Sequence, residues 1–196
     1  MSLVSSNEVS KVLGLHKLGF IGISIGWVLL RLTKLHAINR FYDQNKSLPP
    51  QDFLNAVLDH FKINFQIPEE DFKRLPKSGP FITISNHPLG AIDGVLLMKL
   101  MLMYRDDYKI MANFLLQRVA PMTPYIFPVN PFEDHKSASN SSSGFKQALQ
   151  HIRNGHSLGI FPAGEVSTTR EGRNIVDKEW AVSVMKLIQR AEVPVV

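Results

Sequence analysis

Apolar residues change period several times along this chain, and each change marks an element. Residues 81–85, F-I-T-I-S, alternate in strand fashion, N-H-P-L-G at 86–90 has turn chemistry, and 91–104 is an apolar-rich run of helical length. Further on, the pattern predicts strands at 108–112, 125–130 and 157–161, alternating with helices at 114–120, 144–153 and 178–191. In the last of these, Trp180, Val184, Leu187, Ile188 and Ala191 share one face. Upstream, residues 51–62 read as a helix with Phe53, Leu54, Val57, Leu58 and Phe61 on its apolar side; a short strand at 63–67 and an acidic turn at 68–71 follow. Strands and helices in alternation predict an α/β fold, a mixed and largely parallel sheet flanked by helices, with loops at the strand ends carrying the chemistry.

The first part of the chain follows a different pattern. Residues 18–30, L-G-F-I-G-I-S-I-G-W-V-L-L, carry no charge and are bounded by Lys17 and Arg31. As a helix this run extends roughly 20 Å against a hydrocarbon core of about 30 Å, so it is too short for a full crossing. An interfacial helix fits better, with Trp27 at the lipid boundary and Lys11, Lys17, Arg31 and Lys34 towards anionic head groups; a core-packed helix is the other reading. A cleavable leader is disfavoured, because no small-residue cleavage site follows and the apolar run starts late. The S-L-P-P stretch at 47–50 is the clearest break, which divides the chain into an N-terminal amphipathic segment, 1–48, and an α/β domain, 49–196.

Composition narrows the class of function. With 196 residues and 44% hydrophobic content the chain can bury a sizeable core, and a net charge of +5 suits an anionic partner such as a membrane surface, a CoA phosphate or an acyl carrier protein. Basic residues are scattered among apolar helices with no exposed aromatics between them, which argues against nucleic acid. Cysteine is absent, so there is neither a disulfide frame nor a thiol nucleophile. No phosphate-binding glycine loop is present, and His151 and His156 are wrongly spaced for a zinc motif, so neither a nucleotide nor a metal is expected. G-I-S-I-G at 22–26 matches the pattern of a serine nucleophile elbow but lies within one apolar run, without the strand, turn and helix that such an elbow needs.

The candidate chemistry lies at His87 and Asp93. The histidine falls in the loop at the carboxyl end of the 81–85 strand, and the aspartate in the first turn of the following helix, where the positive helix end favours a carboxylate. A neutral imidazole accepts protons near pH 7, and a neighbouring carboxylate fixes its tautomer and steadies the cation, so the pair could activate a hydroxyl or amine. Equally, His87 could cap the turn and Asp93 serve only the helix terminus.

N-H-P-L-G-A-I-D-G at 86–94, F-P-A-G-E-V-S at 161–167 and V-P-V-V at the end, in that order, resemble the motifs of the glycerolipid (lysophospholipid) acyltransferase superfamily. The form of the motifs is similar to a bacterial branch that includes acyltransferases for lyso-ornithine and glycine lipids, and the likeness covers roughly residues 61–196. The resemblance implies an enzyme that moves a fatty acyl group from acyl-CoA or acyl carrier protein to a lysolipid. No cofactor beyond that co-substrate is implied, and the expected location is peripheral, on the cytoplasmic face of the membrane. It implies His87 and Asp93 as the catalytic pair, and gives substrate binding to Asn86, Asn130, Phe161, Pro162, Gly164 and Glu165. From the residues alone, Lys136 in the serine-rich stretch 131–144 could bind the acceptor or belong to a solvated connection, and Arg170 after the F-P-A-G-E turn could meet a phosphate or be an ordinary surface charge. Backbone N–H groups around Gly164 would face the thioester oxygen.

Three departures accompany the likeness. Five residues separate His87 from Asp93 where the family has four, and a bulge near Gly90, where a positive φ costs little, would restore the pairing. Ala163 stands where the third motif usually has Glu, with the carboxylate two positions later at Glu165. The second-motif Arg has no counterpart beyond V-N-P-F at 129–132. The last two weaken the case for a glycerol phosphate acceptor. They also keep open an inactive member that only binds membranes, and a thioesterase in which water replaces the acceptor. In the family more chain follows V-P-V-V, so a fragment of a longer protein is expected.

Overall fold

In the computed structural model, residues 3–33, 35–129, 139–170 and 174–196 are described. Two compact units divide the chain, Met1–Pro49 with Arg118–Pro121, and Pro50–Gln117 with Met122–Val196.

The first unit is helical: α1 (Ser6–Val12), a 3₁₀ turn (Leu15–Leu18), α2 (Phe20–Leu32) and α3 (Leu35–Asn45). Buried Tyr42 of α3 ties the 118–121 segment to it, its hydroxyl donating to the Arg118 carbonyl at 2.9 Å and accepting from the Ala120 N–H at 3.1 Å. Among the described residues no helix is long and apolar enough to cross a membrane.

The second unit is built on a four-stranded parallel sheet of β1 (Ile82–Ile84), β2 (Lys109–Asn113), β3 (Ile126–Val129) and β4 (Leu158–Ile160), in the order β1-β4-β2-β3. The chain's last residues extend it beyond β1: Ile82 N–H donates to the Pro194 carbonyl and Ile84 N–H to that of Val196, both at 2.9 Å. Because side chains alternate across a strand, Ile82, Met111, Phe127, Leu158 and Ile160 share one face. There they pack with Ala148 and Ile152 of α7 (Ser139–Arg153) and with Val184, Leu187 and Ala191 of α8 (Val182–Ala191). Thr83, Ile110 and Gly159 fall on the opposite face, where Tyr108 lies over Gly159 and its hydroxyl meets Thr83 Oγ1 at 2.5 Å. Burial pushes the Tyr108 phenol pKa far up, so this pair stays a neutral hydrogen bond. Helices α4 (Pro50–His60) and α6 (Ala91–Tyr104) pack on each other, α4 burying Phe53, Leu54, Val57 and Leu58, and α6 burying Met98, Met101 and Leu102. Leu and Met are strong helix formers, and they fill α6 on nearly every side.

Three expectations are corrected. Residues 63–67 form no strand: α4 closes through Lys62 at φ 54° and an Ile63 N–H bond to the Leu58 carbonyl, and none of the described residues pairs with them in a ladder. The 68–71 stretch instead opens a one-turn helix, α5 (Glu69–Phe72). Trp180 is outside the last helix and exposed, since Ala181 is the extended N-cap of α8 and gives its N–H to the Pro162 carbonyl. An antiparallel pair that the hydrophobic pattern did not flag, β5 (Thr168–Arg170) and β6 (Asn174–Val176), follows β4.

At the amino ends of β2 and β4, Asp107 collects Arg105 (Nε 2.9 Å, Nη2 2.7 Å), Ser157 Oγ (3.1 Å) and His156 Nδ1 (3.1 Å). His151 Nε2 bridges the Asp107 and Ser157 carbonyls at 2.9 and 3.2 Å. Burial pulls the Asp107 pKa up, but the bonds from Arg105 and His156 outweigh it and leave it below 3.8; burial, with His156 and Lys109 nearby, holds His151 below 6.5. Both groups therefore bind fewer protons folded than unfolded, and stability falls with acidification. Urea melts across pH should show a first loss setting in below 6.5 from His151 and a further one below 3.8 from Asp107. His151→Gln should remove the first and leave the second.

Candidate active site

His87 and Phe161 leave the carboxyl ends of adjacent parallel strands, β1 and β4, which the Ser85 N–H clamps to the Ile160 carbonyl at 3.1 Å. Loops at such ends are where open α/β sheets place their ligands. The two rings stack, with centroids 4.4 Å apart and planes inclined by 32°.

Asp93 reaches the same spot from the first turn of α6. Gly90, the N-cap, has φ 66°, which only glycine adopts without strain, and it turns the longer loop so that the helix starts with Asp93 facing back. One carboxylate oxygen, Oδ2, accepts the Leu89 N–H at 2.7 Å and lies 3.3 Å from His87 Nδ1. Asp93 thus holds the turn through the Leu89 N–H and lies beside the imidazole with the same oxygen. Nδ1 is buried, and its contact with Asp93 has ion-pair distance but not hydrogen-bond alignment. Catalytic hydrogen bonds are often loose before substrate binds. With Nδ1 turned to the carboxylate, Nε2 is the ring nitrogen left to meet a substrate.

The 161–167 segment wraps this pair. Pro162 is fully buried; Gly164, at φ 68°, closes a turn by giving its N–H to the Phe161 carbonyl at 3.0 Å. The Gly164 N–H is therefore spent inside the turn, while those of Ala163 and Glu165 bond to none of the described residues. Glu165 is engaged in an ion pair with Lys178 at 2.6 Å. Ser167 then anchors the segment: its N–H donates to the His87 carbonyl at 3.0 Å, and its hydroxyl donates to Asp177 Oδ1. Val166 packs at the open side of Gly90. In the sequence, Ser167 and Asp177 are marked only by β-branched residues on both sides of Gly172, a hairpin cue.

Of the remaining candidates, Asn86 is exposed in the turn before His87, and Arg170 ends β5. Asn130 and Lys136 lie outside the described residues. Ser24, the would-be nucleophile of the G-I-S-I-G pattern, sits within α2 and gives its hydroxyl to the Phe20 carbonyl at 3.0 Å. Among the described residues no cluster of His, Asp or Glu is arranged for a metal ion.

A family model described as Acyltransferase matches residues 8–196, nearly the whole chain. The chain belongs to this acyltransferase family. Relatives include a lyso-glycine lipid O-acyltransferase of Phocaeicola vulgatus, 29% identical over 144 residues that make up 73% of this chain and 49% of that protein. A protein of the same name from Bacteroides thetaiotaomicron is 29% identical over 171 residues, 85% of this chain and 60% of its own length. The chain thus spans about half to three-fifths of the length of these acyltransferases.

Proposed function

We propose that this member of the acyltransferase family transfers a fatty acyl group from acyl-CoA or acyl carrier protein to the hydroxyl of a lysolipid, with His87 as general base. The observation that carries the reading is the contact of His87 Nδ1 with Asp93 at 3.3 Å, beside the Phe161 ring at the strand ends. The relatives' names favour a lyso-aminolipid acceptor such as a lyso-glycine lipid.

In this mechanism Asp93 holds the proton on Nδ1, and Nε2 takes the proton of the acceptor hydroxyl as its oxygen attacks the thioester carbonyl. The negative charge moves to the carbonyl oxygen, for which the N–H groups of Ala163 and Glu165 are the donors at hand. When the intermediate collapses, the C–S bond breaks and the imidazolium returns its proton to the leaving thiolate, so the ester forms with no covalent enzyme intermediate. Asn86, Asn130, Lys136 and Arg170 are assigned to the head group and phosphates of the substrates. Helix α2, with Phe20, Ile21, Trp27 and Leu32 exposed, lies in the membrane interface on the cytoplasmic side, where the thioester donors are.

Incubation with labelled acyl-CoA or acyl carrier protein and a panel of lyso-glycine, lyso-ornithine and lysophospholipids tests this. Labelled diacyl lipid is expected. Free fatty acid alone would make the protein a thioesterase, and vesicle binding without either product would leave only a membrane binder. Asp93→Asn keeps an oxygen for the Leu89 N–H but loses the charge beside Nδ1. Turnover should drop by roughly tenfold or more, with thioester binding little changed.

A further inference from the structure

The first unit holds seven Lys and Arg against two Asp and Glu, whereas the second holds fifteen of each, so the chain's whole net charge of +5 resides in the helical unit. That unit also exposes its most apolar helix: in α2, Phe20 is 83%, Leu32 73% and Ile21 66% exposed. A second copy is a poor cover for this face, since it would bring like charge to like. An anionic bilayer offers both hydrocarbon and opposite charge.

Within this unit lies a cavity of about 220 Å³, lined by Ser5, Ser6, Trp27, Arg31, His36 and Asn39 among others. At about 30 Å³ per water it has room for roughly seven waters, ample for a tetrahedral anion. Its lining offers donors and no carboxylate. Arg31 has no acidic partner among the described residues, and its guanidinium stands 5.5 Å from the Trp27 ring, one helical turn before it. His36 Nε2 accepts from Arg40 Nη2 at 3.2 Å, which leaves Nδ1–H as a donor. The Asn39 amide pairs with both backbone groups of Val4 (2.7 and 3.0 Å) and so fixes the segment that brings Ser5 and Ser6 to the cavity.

We propose that this cavity binds the phosphodiester of an anionic phospholipid, gripped by the Arg31 guanidinium, and so fixes how α2 sits in the interface. A planar guanidinium suits phosphate oxygens because it donates two parallel bonds, and Trp27 beside it belongs at head-group depth. The proposal rests on the interfacial reading of α2 given above, and acyl transfer itself is not needed to test it.

The full chain is titrated with phosphatidylcholine vesicles that do or do not contain a minority of phosphatidylglycerol. A surface cation near such a membrane contributes about fivefold in affinity, and Lys17→Gln, which removes an exposed charge outside the cavity, should lose that much. Arg31→Gln should lose clearly more, and Arg31→Lys should not restore it; circular dichroism checks that α2 persists. In a Trp180→Phe background, which leaves Trp27 as the sole tryptophan, glycerophosphoglycerol should change the emission saturably, and Arg31→Gln should abolish the change. Equal losses for Arg31→Gln and Lys17→Gln would reduce the cavity to part of a diffuse field and overturn the site. Saturation by inorganic phosphate with no response to glycerophosphoglycerol would make it a free-phosphate site instead. Equal binding to both vesicles would remove the anionic lipid but keep the interfacial helix, and binding to neither would remove that as well.

Discussion

His87→Ala is expected to give a folded protein whose acyl transfer is lower by on the order of 10²- to 10⁴-fold, the range a general base contributes. The fold should survive because the side chain belongs to a loop and not to a core. It is 20% exposed, and the bond that pins the 161–167 segment to this loop uses the His87 carbonyl, which the substitution keeps. The loss should fall on turnover: the thioester is already activated, and removing the acceptor's proton is the step left without a partner. Release of thiol from acyl-CoA in the presence of lysolipid, followed alongside a thermal melt, separates chemistry from folding. Unchanged turnover with an unchanged melt would rule out His87 as the base. Glu165→Gln is the matched comparison. Its carboxylate is half exposed and paired with Lys178, an arrangement worth about 0–1 kcal/mol to stability. If Glu165→Gln proves the more damaging change, the carboxylate of the pair has been misassigned.

How far these side chains can be foreseen from the sequence follows from which forces place them. Alternation in F-I-T-I-S and helical length in 91–104 reflect burial on a strand and in a helix, so β1 and α6 are legible to within a residue or two. The approach of Asp93 to His87 is legible as well, because Gly90 is the residue that can absorb one extra position with positive φ. Residues 63–67 mislead because I-N-F-Q-I alternates as a strand would, yet pairing depends on a neighbour that no local pattern reveals. Gly164 is a subtler case. Its presence marks a turn, but the turn consumes its N–H in a bond to the Phe161 carbonyl, which no local pattern reveals. Ser167 and Asp177, ten residues apart, meet because β5 and β6 pair, and no spacing rule anticipates that.

The largest expected loss of stability comes from a residue with no side chain. Gly159 lies in β4 between Thr83 of β1 and Ile110 of β2, on the sheet face that Tyr108 covers. A β-carbon there would overlap the Tyr108 hydroxyl and crowd its ring and the Ile110 side chain, and Tyr108 is fully buried. Alanine in place of glycine ordinarily favours a strand by a fraction of a kcal/mol through the unfolded chain. Here overpacking costs about 1–3 kcal/mol, and displacing the phenol strands two buried hydroxyls, Tyr108 and Thr83, which adds about 1–3 kcal/mol. Gly159→Ala should therefore lose about 2–5 kcal/mol and lower Tm by roughly 4–20 °C for a chain of this size. The cause is checked by a double-mutant cycle with Tyr108→Phe. In the parent that change only orphans Thr83 and destabilises; combined with Gly159→Ala it removes the atom nearest the new methyl, so the pair should be less damaging than the two effects added. Additive effects would mean that the methyl is accommodated elsewhere, and a Gly159→Ala variant as stable as the parent would mean that the strand, not the tyrosine, yields. Since β4 runs directly into Phe161, a shifted strand should also carry the stacking wall away from His87, so acyl transfer should fall even at temperatures where the variant stays folded.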